Sequence, residues 1–158
     1  MPLKFNIMKI YAVIDTNVIV SALLSHYDDA ATVRIIRKII VGDIVPVFND
    51  DILNEYSEVL HRAKFDFPEA VITQTLRTFI KFGVNAERLV SNIQLPDPKD
   101  LVFYEVALSS EDSYLVTGNI KHFPKEPFIV TPAEMIHIIE SLENPSILNE
   151  PHVPYGNW

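Results

Sequence analysis

The feature that most constrains the fold is a short apolar run, residues 10–14, that ends abruptly at Asp15. The run is rich in residues that favour β-structure and contains no charged side chain. Such a run is typical of a strand covered on both faces, as in a parallel sheet flanked by helices. We therefore expect the chain to begin its fold with a buried parallel strand whose carboxyl end carries Asp15.

Strand-like runs and segments with helical periodicity alternate along the rest of the chain. Further strands are predicted at 43–48, 88–93, 114–117 and 128–130. Helices are predicted at 16–24, 29–41, 50–60, 68–82, 98–108 and 132–142. This alternation predicts an α/β fold, a three-layer sandwich around a mostly parallel central sheet.

The length of 158 residues and the hydrophobic content of 48% fit a single domain with a sizeable core. We expect residues 1–8 to form an N-terminal extension and residues 9–142 to form the domain. Residues 143–158 are rich in Pro and Asn and are interpreted as a C-terminal tail, with Tyr155 and Trp158 as candidate docking residues.

Composition excludes several classes of protein. The absence of Cys rules out disulfides, thiolate metal sites and a Cys nucleophile, and it suits a reducing, cytoplasmic location. No apolar run is long enough to span a membrane, and the start lacks the pattern of a secretion signal. The net charge of −8 is the wrong sign for a surface that grips nucleic acid throughout, so any such binding must be local.

Two acidic side chains are placed for chemistry by the predicted elements. Asp15 ends a buried strand, where open parallel sheets bind ligands, although an N-cap role for the next helix is an equal alternative. Asn17 could share either role. Glu55 lies about 60° from Ile52 and about 40° from Val59 on a helical projection, so it borders the apolar stripe where a solvated Glu is unusual.

Two more polar residues fall near the same edge of the predicted sheet. Asp100 lies in the first turn of a helix that Asp97 is expected to cap, and Asn119 follows a strand end. Three acids and an amide could then converge, and the repulsion between carboxylates would favour a bound cation. Oxygen ligands without His or Cys suit Mg²⁺ or Mn²⁺.

These residues resemble the motifs of the PIN-domain family, and in particular its branch of toxin components of toxin–antitoxin systems (VapC-like). The opening strand with Asp15 and Asn17, the helical acid Glu55, the third acid Asp100, and the final motif at 117–119 all match the family's pattern. The resemblance covers roughly residues 9–142. One position departs: the final motif usually carries Asp, and this chain has Asn119, which can ligate through its amide oxygen without adding charge.

The resemblance implies a metal-dependent endoribonuclease that uses Mg²⁺ or Mn²⁺, forms dimers and is inhibited by a cognate antitoxin. It assigns metal binding and catalysis to Asp15, Glu55 and Asp100, with Asn119 as a further metal ligand and Asn17 orienting water or ligands. Thr16 or Thr117 could bind a phosphate oxygen, or could equally satisfy nearby backbone groups. Asp112 and Glu105 are disfavoured as substitutes for the missing acid.

Three small basic groups are candidates for guiding an RNA backbone, although short charge clusters are more often simply solvated. They are Arg34/Arg37/Lys38, His61/Arg62/Lys64 and Lys121/His122/Lys125. Haloacid-type phosphatases, nucleotide-binding folds with a Gly-rich loop and response-regulator receivers lack their required residues here. The open alternative is a degenerate PIN fold that acts as a binding or assembly module without catalysis.

Overall fold

A computed structural model describes residues 9–144. The predicted N-terminal extension, residues 1–8, and the tail from residue 145, including Tyr155 and Trp158, lie outside the described residues. The predicted division of the chain into extension, domain and tail therefore stays a prediction.

Five parallel strands form one central sheet in the order β3-β2-β1-β4-β5. The strands are β1 (Ile10–Ile14), β2 (Ile44–Phe48), β3 (Val84–Asn85), β4 (Tyr114–Val116) and β5 (Ile129–Val130). The first strand occupies the centre because β2 adds on one side of it and β4 on the other. The carboxyl ends of β1 and β4 are consequently neighbours.

Residues 9–144 contain six α-helices, of which the first five lie between strands and the sixth follows β5: α1 (Thr16–Leu24), α2 (Ala31–Ile40), α3 (Asp50–Leu60), α4 (Glu69–Phe82), α5 (Leu101–Leu108) and α6 (Pro132–Glu143). Each helix buries apolar side chains in the core that also covers the sheet. The predicted α/β sandwich with a parallel central sheet is confirmed. Across residues 9–144, no helix is long and apolar enough to cross a bilayer.

Local signals in the sequence explain where several helices begin and end. The Asn49 side chain accepts a hydrogen bond from the Ile52 backbone N–H at 2.8 Å and caps α3. Thr131 and Glu134 form a reciprocal capping box that starts α6. Gly42 adopts φ 92° after the last turn of α2, a left-handed conformation that glycine adopts without a Cβ clash.

The predicted strand at residues 88–93 is wrong, because this segment has no regular structure. The strand at this edge of the sheet, which pairs with β2 on the side away from β1, is instead the two-residue β3 at residues 84–85. Leu89 and Val90 are exposed by 54% and 82% and stay outside the core, whereas Ile93 at the end of the segment packs against it. Hydrogen bonds to Glu105 hold this segment in place.

Candidate active site

The polar residues that follow β1 and β4 meet at one edge of the sheet. The Asp15 backbone N–H donates to the Val116 carbonyl at 2.9 Å, which joins the two strand ends. Asp15 itself is only 4% exposed, and Thr117 is fully buried. The edge that the sequence predicted as a ligand site therefore places a carboxylate at the boundary between the core and the surface.

The Asp15 carboxylate is held by side chains rather than used as a helix cap. Its Oδ2 accepts hydrogen bonds from the Thr117 hydroxyl at 2.8 Å and from the Asn17 amide at 3.0 Å. It occupies the N-cap position of α1, yet its side chain makes no capping hydrogen bond. Asp15 is therefore the N-cap of α1 by position, and its carboxylate is oriented by neighbours from two chain segments.

The loop after β4 completes this network. The Gly118 backbone N–H donates to the Asn17 amide oxygen at 2.9 Å, and the Asn119 backbone N–H donates to the Thr117 hydroxyl at 3.0 Å. A Cβ on Gly118 would lie 3.1 Å from that same Asn17 oxygen, tighter than ordinary contact. Glycine here allows the loop to approach α1 closely.

A cavity of about 400 Å³ opens beside Asp15, and we call it the acidic cavity. Its walls include four carboxylates, from Asp15, Glu55, Asp97 and Asp100. Thr16, Asn17 and Asn119 also line it, so six of the seven predicted site residues share one cavity. The seventh, Thr117, does not line the cavity. Its hydroxyl donates to Asp15 and accepts from the Asn119 backbone N–H, so of its two predicted roles the structure shows hydrogen bonding to a nearby backbone group.

Burial and a neighbouring charge both perturb Asp15. Burial is the largest effect, and together with the nearby Asp100 carboxylate it raises the pKa of Asp15 from 3.8 to about 6, against the lowering effect of the Thr117 hydrogen bond. No salt bridge to Asp15 forms among residues 9–144. Asp15 is therefore a desolvated carboxylate that forms no ion pair with a side chain of the described residues.

Asp100 has a partner that the sequence did not reveal. The His122 Nδ1 lies 3.1 Å from Asp100 Oδ2, and His122 belongs to a short 3-10 turn, Ile120–His122, that follows Asn119. Burial raises the pKa of Asp100 above its ordinary value and Asp97 adds to the rise, while the hydrogen bond and charge of His122 oppose it. A second 3-10 turn, Pro98–Asp100, leads into α5, and Asp97 caps it as the sequence predicted by accepting from the Lys99 backbone N–H at 3.0 Å.

The donor set of the acidic cavity is of the kind that a hard divalent cation prefers, since carboxylate and amide oxygens predominate. The buried Thr16 hydroxyl adds an oxygen that finds no hydrogen-bond partner in the described part of the chain. As the side chains stand, however, no three carboxylate or imidazole groups within residues 9–144 are grouped closely enough to hold a metal ion. The residues fit a cation by chemistry and by shared cavity, and the carboxylates would have to close around it.

Two cationic residues in the same cavity had no predicted role in metal chemistry. Arg62 and Lys99 line the acidic cavity with the four acids. The sequence indicated Arg62 only as part of a basic cluster, because the direction of a loop side chain cannot be read from the sequence. Their presence means that the cavity can attract an anion as well as a cation.

The two disfavoured substitutes for the missing acid lie elsewhere. Glu105 is buried and forms an ion pair with Arg88 at 2.7 Å, and it also accepts a hydrogen bond from the Ser91 backbone N–H. Asp112 is exposed and lines a separate cavity beside the start of β4. Neither residue lines the acidic cavity.

The first predicted basic cluster is committed to structural ion pairs. Arg34 pairs with Glu140 of α6, Arg37 pairs with Asp28, and Lys38 pairs with both Asp43 and Glu143. In the second cluster His61 pairs with Glu69. Arg62 and Lys64 form no salt bridge within residues 9–144.

In a comparison with protein families, residues 11–121 match the family model described as PIN domain. The matched range begins in β1 and ends just beyond Asn119, so it includes every residue of the acidic cavity. Comparisons with curated proteins and with solved structures found no significant match.

Proposed function

We propose that this chain, which belongs to the PIN-domain family, is a metal-dependent endoribonuclease that hydrolyses RNA phosphodiester bonds in the acidic cavity. PIN domains are generally nucleases, so nuclease-type function follows from membership of the family. The choice of RNA, the dependence on Mg²⁺ or Mn²⁺ and the role as the toxin of a toxin–antitoxin pair are the parts that we propose.

The observation that carries the proposal is the state of Asp15. A carboxylate that is 4% exposed and has no salt bridge in the described structure is costly, because buried charges in proteins are normally paired or coordinate a metal. Three further carboxylates line the same cavity and add to the local negative potential. A divalent cation would offset this charge, since it interacts favourably with every carboxylate around it.

Asp15, Glu55 and Asp100 would hold the cation, with Asn119 contributing its amide oxygen. A bound Mg²⁺ or Mn²⁺ supplies polarisation of the phosphoryl oxygen and a lowered pKa for the attacking water. Asn17 donates to Asp15 and accepts from Gly118, so it fixes the direction of the carboxylate. The buried Thr16 hydroxyl has no hydrogen-bond partner in the described part of the chain, and it would turn into the acidic cavity to donate to a phosphate oxygen.

The toxin–antitoxin part of the proposal is supported by the resemblance to that branch of the family and by the net charge of −8. An acidic protein favours a partner with a basic segment. We propose a cognate antitoxin as that partner, a homodimer as the assembly and the cytoplasm as the location. Co-purification with the product of the neighbouring gene tests the partnership directly.

Titration of Mn²⁺ into the metal-free protein by calorimetry tests the metal site. Asn119→Asp adds an anionic oxygen and should tighten binding by about 1 kcal/mol or more, whereas Asp100→Asn should weaken it. Asp112→Asn removes a carboxylate that lies outside the cavity and should leave the affinity unchanged. Cleavage of single-stranded RNA by the wild type should require the same metal and should be lost in Asp15→Asn.

One alternative function is favoured by specific observations. The absence of a ready group of three metal ligands within residues 9–144, together with Asn119 in place of the usual acid, fits a degenerate PIN fold that binds or assembles without catalysis. The calorimetric titration separates the two functions. Equal affinity in wild type, Asn119→Asp and Asp100→Asn, or no binding in any of them, would count against Asn119 as a site residue and favour the module over the nuclease.

A further inference from the structure

A second and larger cavity, of about 740 Å³, lies next to the acidic cavity, and we call it the apolar groove. The two cavities share four residues, Thr16, Asn17, Arg62 and Asn119. Beyond these shared residues the wall is mainly apolar and includes Val20, Leu24, Val59 and Phe65. A ligand whose reactive group enters the acidic cavity would therefore extend along an apolar surface.

Arg62 lies at the junction of the two cavities and is free to bind an anion. It forms no salt bridge among residues 9–144, although four carboxylates line the cavity that it enters. Lys64 lines the apolar groove, and it likewise forms no salt bridge within residues 9–144. Lys99, which lines the acidic cavity itself, forms no salt bridge either, so three cations within residues 9–144 line the two cavities without an acidic partner.

The loop between α3 and α4 presents an aromatic ring at the same place. Phe65 stacks on Phe67 with ring centroids 5.5 Å apart and an interplanar angle of 14°, and the Lys64 ammonium lies 5.0 Å from the Phe65 centroid. Phe67 packs against the core, which anchors the pair. Asp66 between them adopts φ 53°, a left-handed conformation that Asp tolerates better than most residues.

We propose that the apolar groove binds the unpaired nucleotides next to the phosphate that enters the acidic cavity. A base would stack against Phe65, and the flanking phosphates would contact Arg62 and Lys64. Aromatic stacking combined with nearby cations is the physical basis of sequence-tolerant binding of single strands. This inference rests on the proposed nuclease function and adds to it the region of the substrate that the protein recognises.

The overall charge makes the location of these cations decisive. A surface with net charge −8 repels a polyanion, so attraction depends on local cations that acids do not neutralise. Duplex substrate is disfavoured because paired bases cannot offer a face to Phe65. The groove therefore selects single-stranded nucleic acid.

Binding is measured apart from cleavage by fluorescence anisotropy in excess chelator, with a labelled oligouridylate of about ten nucleotides as the probe. Phe65→Leu should weaken binding about fivefold or more, because stacking on a ring contributes far more than an aliphatic contact. Phe65→Tyr keeps the ring and should bind like wild type. Arg62→Gln and Lys64→Gln should each lower the slope of log K against log salt by about 0.7, one phosphate contact for a single strand.

A matched control exists on α4, where the Lys81 ammonium lies 5.2 Å from the centroid of the adjacent Phe82 ring. Neither residue lines the apolar groove. Lys81→Gln repeats the charge removal of Lys64→Gln and should leave both affinity and salt slope unchanged. Thermal unfolding of each variant establishes that a lost affinity is not a lost fold.

The outcomes separate this inference from the proposed function. If the wild type cleaves RNA only with metal, but substitution of Phe65, Arg62 or Lys64 leaves oligonucleotide affinity unchanged, the groove is not the binding site and the proposed nuclease function still stands. Phe65-dependent binding without cleavage would support the groove and count against the nuclease. Equal binding of the duplex, or capture of a basic peptide in the groove with no affinity for the oligouridylate, would overturn the inference. An oligodeoxyuridylate of the same length shows whether the single strand must be RNA.

Discussion

Replacing Asp15 by Asn should make the metal-free protein more stable at neutral pH, although Asp15 lies at the centre of the proposed active site. Burial raises the pKa of this carboxyl from 3.8 to about 6, and the Asp100 carboxylate adds to the rise. A shift of that size corresponds to about 3 kcal/mol of free energy that opposes folding once Asp15 is ionised. The Asn amide oxygen can still accept the hydrogen bonds from Thr117 and Asn17 that now go to Asp15 Oδ2.

The pH dependence follows from the direction of the shift. Between about pH 4 and pH 6 the folded protein binds more protons at Asp15 than the unfolded chain does, so the free energy of unfolding falls as pH rises through this window. Below about pH 4 the carboxyl is protonated in both states and the penalty disappears. The stability difference between Asp15→Asn and wild type should therefore grow from pH 4 to pH 7 and then level off.

Urea unfolding at a series of pH values, in excess chelator, measures this difference. The two proteins differ only at Asp15, so most other titrating groups cancel in the comparison. Asp112→Asn serves as the control, because Asp112 is exposed and its replacement should change stability by no more than about 0.5 kcal/mol. Saturating Mn²⁺ should reverse the order, since ligand binding stabilises only the protein that binds it.

The reasoning would be refuted if Asp15→Asn were less stable than wild type at every pH from 5 to 8. That result would mean that the hydrogen bonds to the Asp15 carboxylate outweigh its desolvation. The buried acid would then be a structural residue, and the strongest argument for a cation in the acidic cavity would be lost.

Two further substitutions test contacts that support the site. Glu105→Gln should cost about 2 kcal/mol, because it removes a buried charge-assisted bond to Arg88, while Glu87→Gln on the exposed neighbouring segment should cost about 0.5 kcal/mol or less. Burial alone would raise the pKa of Glu105, but its hydrogen bonds and its ion pair with Arg88 lower that pKa overall. The stability lost in Glu105→Gln should therefore be largest above about pH 5 and should shrink as pH falls, and urea unfolding at a series of pH values measures it. Tyr56→Phe removes a buried hydroxyl that donates to the β1 carbonyl just before the site, and thermal unfolding should show a loss of about 1 to 2 kcal/mol, with Tyr27→Phe on the surface near zero.

Most of the fold could be predicted because its elements carry strong local signals. The apolar run at 10–14 became β1 with the predicted boundaries, and the capping residues Asn49 and Thr131 start α3 and α6. The failure at 88–93 has a physical cause. Leu89 and Val90 look like strand residues, but the segment is held by the buried Glu105, and a contact between residues distant in the sequence leaves no periodic pattern.

The candidate site could be predicted to the extent that it depends on strand ends. Asp15 and Asn119 follow adjacent parallel strands, and topology alone brings them to one edge. The contact between His122 and Asp100 could not be predicted, since it depends on how a short turn after β4 folds back towards α5. The same limit applies to Arg62, whose loop position gave its charge but not its direction.

Two residues in energetically unfavourable states lie at the two cavities: Asp15 lines the acidic cavity, and Asp66 follows Phe65, which lines the apolar groove. Asp15 is a buried carboxylate without a salt bridge, and Asp66 is the one non-glycine residue within 9–144 that adopts a positive φ. Each of them opposes folding, by about 3 kcal/mol for the ionised carboxylate and about 1 kcal/mol for the left-handed backbone. Residues in such states persist where the surrounding structure over-determines them, and they cluster at sites whose geometry is needed for binding or chemistry. Arg62 lines both cavities, so a phosphate bound to it would lie at their junction, with the acidic cavity on one side and the groove that contains Phe65 on the other. The two costs are therefore explained together if one extended ligand, a single strand with its phosphate in the acidic cavity, occupies both cavities at once.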